Sequence, residues 1–153
     1  MTAGDERERA WRTALDLLAR REHSRRELVT KLGKRDYDQA IVADVVDGLI
    51  EHDYLNEARF TDSFISSRVR RGQGRLRIRA ELRRRGIDDE AISGALDATD
   101  VDWYQLANEV RRRKFGDPGP VDWRERARQI RFLEYRGFAG DEIRAAFASE
   151  PTA

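Results

Sequence analysis

Five apolar positions spanning a helix, a turn and a second helix return at a fixed interval along this chain, and that recurrence restricts it to a repeat architecture. Leu28, Leu32, Tyr37, Val42 and Val46 recur fifty residues later as Ile78, Leu82, Ile87, Ile92 and Leu96. Four of these return fifty-one residues further on as Leu133, Phe138, Ile143 and Phe147. Any two amphipathic helices share some apolar spacing, but four positions held in register through a turn point to a triplicated unit. A unit of about fifty residues is too small to bury much core alone, so neighbours must pack on one another.

Within each unit the helix starts are marked by one device: an apolar residue, a capping residue, and a second apolar residue five positions after the first. Tyr37, Asp38 and Val42 have this spacing, as do Leu55, Asn56 and Phe60; Ile87, Asp88 and Ile92; and Val101, Asp102 and Leu106. Ser24 with Glu27, Asp102 with Gln105 and Asp122 with Glu125 have the spacing of capping boxes. Gly33, Gly86, Gly116 and Gly137 suit left-handed helix ends. Together these signals predict helices near 6–21, 25–34, 39–52, 57–71, 75–85, 89–98, 103–115, 123–136 and 140–148. No period-two apolar alternation bounded by turns competes with them. The expected fold is all-α, with three tandem three-helix repeats forming an elongated, curved helical array. Its expected divisions are an N-terminal extension at 1–9, repeats at 10–55, 56–100 and 101–148, and a tail at 149–153.

Composition narrows the function. The chain has 153 residues, no cysteine, and 39% hydrophobic residues, which excludes disulfides and thiolate metal sites and supplies a core. It shows neither a signal-peptide apolar run nor a stretch approaching the roughly 20 apolar residues of a membrane span, so a cytoplasmic protein without membrane contact is expected. Charged residues make up 39%, yet the net charge is only +1, and their order carries more information than their sum. Residues 1–35 hold ten basic and six acidic side chains, 36–58 none and seven, 59–85 ten and two, 86–110 none and seven, and 111–136 nine and four. Codon bias accounts for 27 Arg against 3 Lys, but not for that alternation.

Catalytic chemistry is not assembled anywhere. His23 and His52 each stand beside a cap or a helix end with no companion ligand, so neither is expected to bind metal or move protons. Gly72 and Gly74 lack both the spacing and the preceding strand of a phosphate loop, and are read as ending one helix and admitting the next. Asp88 and Asp89 suit the positive end of a helix. No catalytic, metal or cofactor site is expected, and the chain is read as a binding protein rather than an enzyme.

The binding candidates are arginines. Arg68, Arg70, Arg71, Arg75, Arg77, Arg79, Arg83, Arg84 and Arg85 surround an apolar seam of Ile78 and Leu82, and guanidinium forks suit phosphates or the carboxylates of an acidic protein. A solvated helix face without a partner is the plainer reading. The helix from Arg75 to Arg85 lacks Asn, Gln, Ser and Thr, so it suits backbone contacts better than base reading. Trp103 and Trp123 fall at first helical positions and are expected to pack rather than stack on bases, as is Trp11. A three-helix unit with a basic second helix also mimics a helix-turn-helix DNA-binding transcriptional regulator, and a scaffold for another acidic partner fits the same charges.

Four strings carry a resemblance: LLARREHSRREL from Leu17 to Leu28, LIEHDYLNEARF from Leu49 to Phe60, GRLRIRAELRRRGI from Gly74 to Ile87, and FLEYRGFAGDEI from Phe132 to Ile143. In this order, across about residues 10–148, they resemble the RecX family of bacterial regulatory proteins. Two positions depart from the family's usual pattern: Gly74 is followed by Arg75 rather than proline, and Asp53 stands where glycine is frequent before Tyr54-Leu55. Both bear on turn geometry. The resemblance implies a negative regulator of the RecA recombinase, lying in the groove of the RecA–DNA filament and inhibiting filament extension, ATP hydrolysis, strand exchange and coprotease activity. It implies a partner in the RecA nucleoprotein filament, non-specific contacts to single- or double-stranded DNA, and a monomer. The expected contact residues are Arg25, Arg26, Arg68, Arg70, Arg71, Arg75, Arg77, Arg79, Arg83, Arg84, Arg124, Arg128 and Arg131. Charge reversal at Arg75, Arg77 and Arg79 together is then expected to weaken filament inhibition.

Overall fold

Residues 2–148 are described by the computed structural model; the expected tail at 149–153 lies outside them. All regular structure among the described residues is helical, in the order α1 (Ala3–Arg20), α2 (Arg25–Gly33), α3 (Gln39–Glu51), α4 (Glu57–Arg70), α5 (Arg75–Arg84), α6 (Asp89–Ala98), α7 (Trp103–Phe115), α8 (Trp123–Tyr135) and α9 (Gly140–Ala148). No helix among these residues is long and apolar enough to cross a membrane.

The caps explain where the boundaries fall. Helix α1 starts three residues before the expected position because Thr2 and Asp5 close a reciprocal capping box, Asp5 N donating to Thr2 Oγ1 at 3.1 Å and Thr2 N to Asp5 Oδ2 at 3.2 Å. Ser24 and Glu27 form the expected full box. The other two expected boxes are half-formed. Asp102 accepts from Gln105 N and Asp122 from Glu125 N, but Gln105 turns to Glu109 and Glu125 to Arg128 and Gln129. In each case a side chain one turn further on competes for the group that would have reached back.

Left-handed turns also depart from expectation at one place. Gly86, Gly116 and Gly137 take φ of 90, 91 and 95°, whereas Gly33 stays helical and Asp36 takes the left-handed role with φ 64°. Asp53 has φ 61° and holds it by accepting from Asn56 Nδ2 at 2.9 Å and Arg59 Nη1 at 3.0 Å. A short polar side chain tolerates this region through such local bonds.

The chain forms two compact units. The first draws on Met1–Phe64 and Leu82–Ala95, the second on Ile65–Glu81 and Leu96–Ala153, so α4, α5 and α6 each contribute to both. In the first unit Ala10, Ala14 and Leu17 of α1, Leu28 and Leu32 of α2, and Val42, Val45, Val46 and Leu49 of α3 form one core with Leu55. In the second, Ala107 and Val110 of α7, Leu133 of α8, Phe138, and Ile143 and Ala146 of α9 form another. The recurring apolar positions are therefore core positions: all are buried except Tyr37 and Phe147, which are partly so. Each fully buried leucine or isoleucine contributes about 1.5–3 kcal/mol.

Each unit also seats the start of a basic helix against the turn of a later helix pair. In the first, Gly86 lies against Arg26, where a Cβ would stand 3.0 Å from Arg26 Cβ. In the second the approach is backbone to backbone. Gly74 N donates to Arg136 O at 2.8 Å and Leu76 N to Gly137 O at 3.0 Å.

Candidate partner-binding surface

The expected contact arginines divide by what their guanidinium groups already hold. In the first unit, Arg25 and Arg26 occupy the first turn of α2, and Arg83 and Arg84 the last turn of α5. Arg25 Nη2 reaches Asp47 Oδ1 at 3.2 Å, while its backbone N donates to Glu57 Oε2 at 2.8 Å. Arg83 pairs with Asp89, and Arg26 Nη1 lies 3.5 Å from the Arg84 carbonyl. The side chain of Arg84 is exposed and has no carboxylate partner among the described residues. Beneath them, Glu27 collects Arg21, the Ser24 amide and, at 3.5 Å, Arg85. Burial pushes the Glu27 carboxyl up, but Arg21 and the Ser24 amide pull harder and leave it below its ordinary range.

In the second unit three expected contacts turn inward. Arg68 Nε lies 2.9 Å from Glu81 Oε2, and Arg77 Nε 3.2 Å from Glu81 Oε1, so two arginines from α4 and α5 share one buried carboxylate. Arg75 Nε donates to Glu142 Oε2 at 2.7 Å, and Glu142, only 2% exposed, also accepts from Ala139 N at 2.7 Å. The Glu142 hydrogen bond raises Arg75 above its ordinary value. Next to it, Tyr104 donates to Asp141 at 2.6 Å, which raises the phenol and lowers the carboxylate. Arg77 further lies over the Tyr135 ring, 5.3 Å from its centroid. Apart from the Arg77–Glu81 pair within α5, these contacts join helices, and their first role is structural.

The remaining expected residues face outward. Arg70, Arg71, Arg124, Arg128 and Arg131 are exposed, with Arg128 held by Glu125 at 3.0 Å and Arg124 stacked 5.5 Å over Trp123. Arg79 is half-buried on α5. Trp123 corrects the expectation of packing, since it is 73% exposed at the start of α8. Trp11 packs against the first core, edge-on to His52 at 6.0 Å and Tyr54 at 6.3 Å. His52 caps α3, and His23 is buried between the Arg21 carbonyl and Lys31, so both histidines have structural partners.

Among the cations outside the expected contact set, Arg111, Arg113, Lys114 and Arg136 have defined surroundings. Arg111 is buried beside Gln129 and under the Phe147 ring. Arg113 and Lys114 at the end of α7 and Arg136 after α8 line a cleft with Arg71. The signal for them was present in the count of nine basic residues between Arg111 and Arg136, but nothing in the sequence brings Arg71 to the same place.

Models of three families match this chain in order: the RecX first three-helix domain over residues 10–49, the second over 56–96 and the third over 100–147. A protein named Regulatory protein RecX from Halorhodospira halophila is 50% identical over 136 residues, covering 89% of this chain and 84% of its own. One of the same name from Pseudomonas savastanoi pv. phaseolicola is 48% identical over 132 residues, covering 86% of this chain and 85% of its own. The fold is similar to the crystal structure of RecX from Lactobacillus salivarius, with a TM-score of 0.78 at 20% identity over 95% of this chain and 96% of that one. A second solved regulatory protein RecX gives a TM-score of 0.77 at 22% identity over 93% and 71%. With all three domains matched in order and about half of the aligned residues identical in relatives covered over more than four fifths of their length, the chain belongs to the RecX family.

Proposed function

We propose that this protein is a negative regulator of the RecA recombinase that binds the groove of the RecA–DNA filament in the cytoplasm and inhibits filament extension, ATP hydrolysis, strand exchange and coprotease activity. The observation that carries the reading is the ordered match of all three domains, together with relatives named as regulatory proteins at about half identity. The side-chain geometry supports a contact made by charge on the outside of helices. Arg70, Arg84, Arg124 and Arg131 are exposed without a carboxylate partner among the described residues, so they meet an acidic groove without first breaking an internal bond. Arg68, Arg75 and Arg77 are already paired and serve the contact by holding α5 in place. Arg25, Arg26, Arg71, Arg79, Arg83 and Arg128 complete the proposed contact set, several of them able to exchange an exposed internal partner for an external one.

The test is DNA-dependent ATP hydrolysis by RecA on preformed single-strand filaments, with this protein titrated from well below equal stoichiometry. Progressive inhibition is expected, and Arg70→Glu, Arg84→Glu and Arg131→Glu together are expected to weaken it while leaving helicity unchanged. Absence of inhibition at every ratio overturns the reading; tight binding to one particular duplex instead would favour a transcriptional regulator.

A further inference from the structure

One buried cation of the second unit has no counter-ion. Arg111 on α7 is only 2% exposed, and its Nε is buried without an acceptor among the described residues. Its Nη1 reaches the neutral Gln129 Oε1 at 3.4 Å, longer than an ordinary N–H···O bond, and Gln129 is turned that way by donating Nε2 to Glu125 at 3.2 Å. The buried carboxylates of the chain are treated differently. Glu81 and Glu142 each meet at least one arginine.

A desolvated charge is costly unless an opposite charge joins it. The plainer compensation is the Phe147 ring, whose centroid lies 5.6 Å from the Arg111 guanidinium. That ring also carries Arg126 at 4.8 Å, so one aromatic face serves two like charges that repel each other. Both guanidiniums border one cavity of about 390 Å³, with Pro120, Trp123 and Phe147 in its walls and Asp122 as its one carboxylate. Asp122 Oδ1 is already committed to the cap of α8, 2.8 Å from Glu125 N. Neither arginine forms an ion pair among the described residues.

The volume falls within the roughly 300–1,000 Å³ of sites that take in most of a small molecule. Two guanidiniums against one carboxylate leave the lining a single positive charge, which balances a monoanion better than a phosphate dianion. Guanidinium forks match the planar carboxylate group, and the flat sides of Trp123 and Phe147 suit a flat ring. Trp123 is 73% exposed, apolar surface that such a ring would cover. We propose that this cavity binds a small aromatic carboxylate, with its charged group on Arg111 and Arg126 and its ring against Trp123 and Phe147. The inference goes beyond the recombinase reading, which uses neither Arg111 nor Arg126.

The test uses para-fluorobenzoate, titrated with the full chain and followed by its fluorine NMR line width, with neutral para-fluorobenzamide as the comparison. Saturable broadening of the benzoate and none of the benzamide is expected. Arg111→Met should abolish it. Because that position is buried, two exposed positions carry the test independently of folding: Arg126→Gln should raise the benzoate Kd roughly tenfold and Trp123→Ala about fivefold, both with wild-type helicity. Lys34→Gln removes one exposed charge from the first unit and should leave the Kd unchanged. Absence of saturable broadening overturns the proposal, as does a wild-type Kd in both exposed variants. Equal binding of the benzamide overturns the role of the guanidiniums. Displacement by inorganic phosphate more readily than by acetate, at constant ionic strength, overturns the assignment to a carboxylate. Tighter binding of N-acetylglutamate amide than of the benzoate overturns the aromatic ligand in favour of a protein side chain. RecA is absent from every arm, so each of these failures leaves the recombinase reading standing.

Discussion

Gly74→Ala should be among the most damaging single-methyl additions to the second unit. An ideal Cβ at Gly74 would stand 2.5 Å from the carbonyl carbon and oxygen of Gly137 and 2.6 Å from Phe138 N. All three are backbone atoms, so no rotamer change relieves the overlap, and α5 must withdraw by about 1 Å to restore ordinary contact distances. That movement stretches the Gly74 N to Arg136 O bond of 2.8 Å and the Leu76 N to Gly137 O bond of 3.0 Å. Losing them costs roughly 1 kcal/mol each, and overpacking a buried contact adds about 1–3 kcal/mol. The sum, about 3–5 kcal/mol, corresponds to a fall in Tm of roughly 10 °C for a chain of this size. Gly94→Ala is the matched control: Gly94 lies inside α6 with nothing within 4 Å of an added Cβ, so helix propensity should raise stability by about 0.5–1 kcal/mol. Circular dichroism at 222 nm during thermal and urea unfolding reads both. If Gly74→Ala lies within 0.5 kcal/mol of wild type, α5 is not seated backbone to backbone on the α8–α9 turn, and the reasoning is refuted.

Two further outcomes follow from buried polar groups. Arg75→Ala strands the Glu142 carboxylate with the Ala139 amide as its remaining partner; because Arg75 is itself 37% exposed and water enters the gap, the expected loss is about 2 kcal/mol rather than the full cost of breaking a buried pair, measured by urea unfolding, and Glu142→Gln should restore part of it in the double variant. Burial, first of all, holds the His23 imidazole below its ordinary value; its Nδ1–H donates to the Arg21 carbonyl at 3.0 Å and its Nε2 accepts from Lys31 Nζ at 2.9 Å. Protons therefore bind the unfolded chain more readily, so this contribution to stability is complete above about pH 6.5 and declines as the pH falls below it. His23→Gln should flatten that decline in Tm against pH, and an unchanged slope would show that His23 does not drive it.

The fold was legible because its signals were local and repeated. Residues such as Leu82, Ile87 and Ile92 combine helical spacing, a cap and a turn within a dozen positions, and the same set recurs in the neighbouring units, so the same boundaries are marked more than once along the chain. What escaped was decided by competition between near-equal local options. Gln105 and Glu125 had the spacing to close capping boxes and instead bond forward along their helices. Asp36 took the left-handed turn although Gly33, three residues earlier, was the better candidate by residue type. Trp123 is exposed because it opens a helix beside the α7–α8 loop, and its position at N1 says nothing about which way that loop leads.

The candidate surface was legible only as a set of residue types, because a sequence records how much charge a segment carries and not where it is spent. Basic blocks alternate with acidic ones along the chain, and the structure uses part of that alternation internally: Arg7 pairs with Asp44, Arg25 with Asp47, Arg83 with Asp89 and Arg75 with Glu142. A charge run therefore overstates the charge available to a partner. This changes which substitutions report on binding. Reversing Arg75, Arg77 and Arg79 together would place three carboxylates among Glu81, Glu142 and their neighbours, and a loss of inhibition would then follow from a displaced α5 as readily as from a lost contact. Substitutions at Arg70, Arg84, Arg113, Lys114 and Arg131 break no internal ion pair among the described residues, so with them a change in binding and a change in stability can be separated.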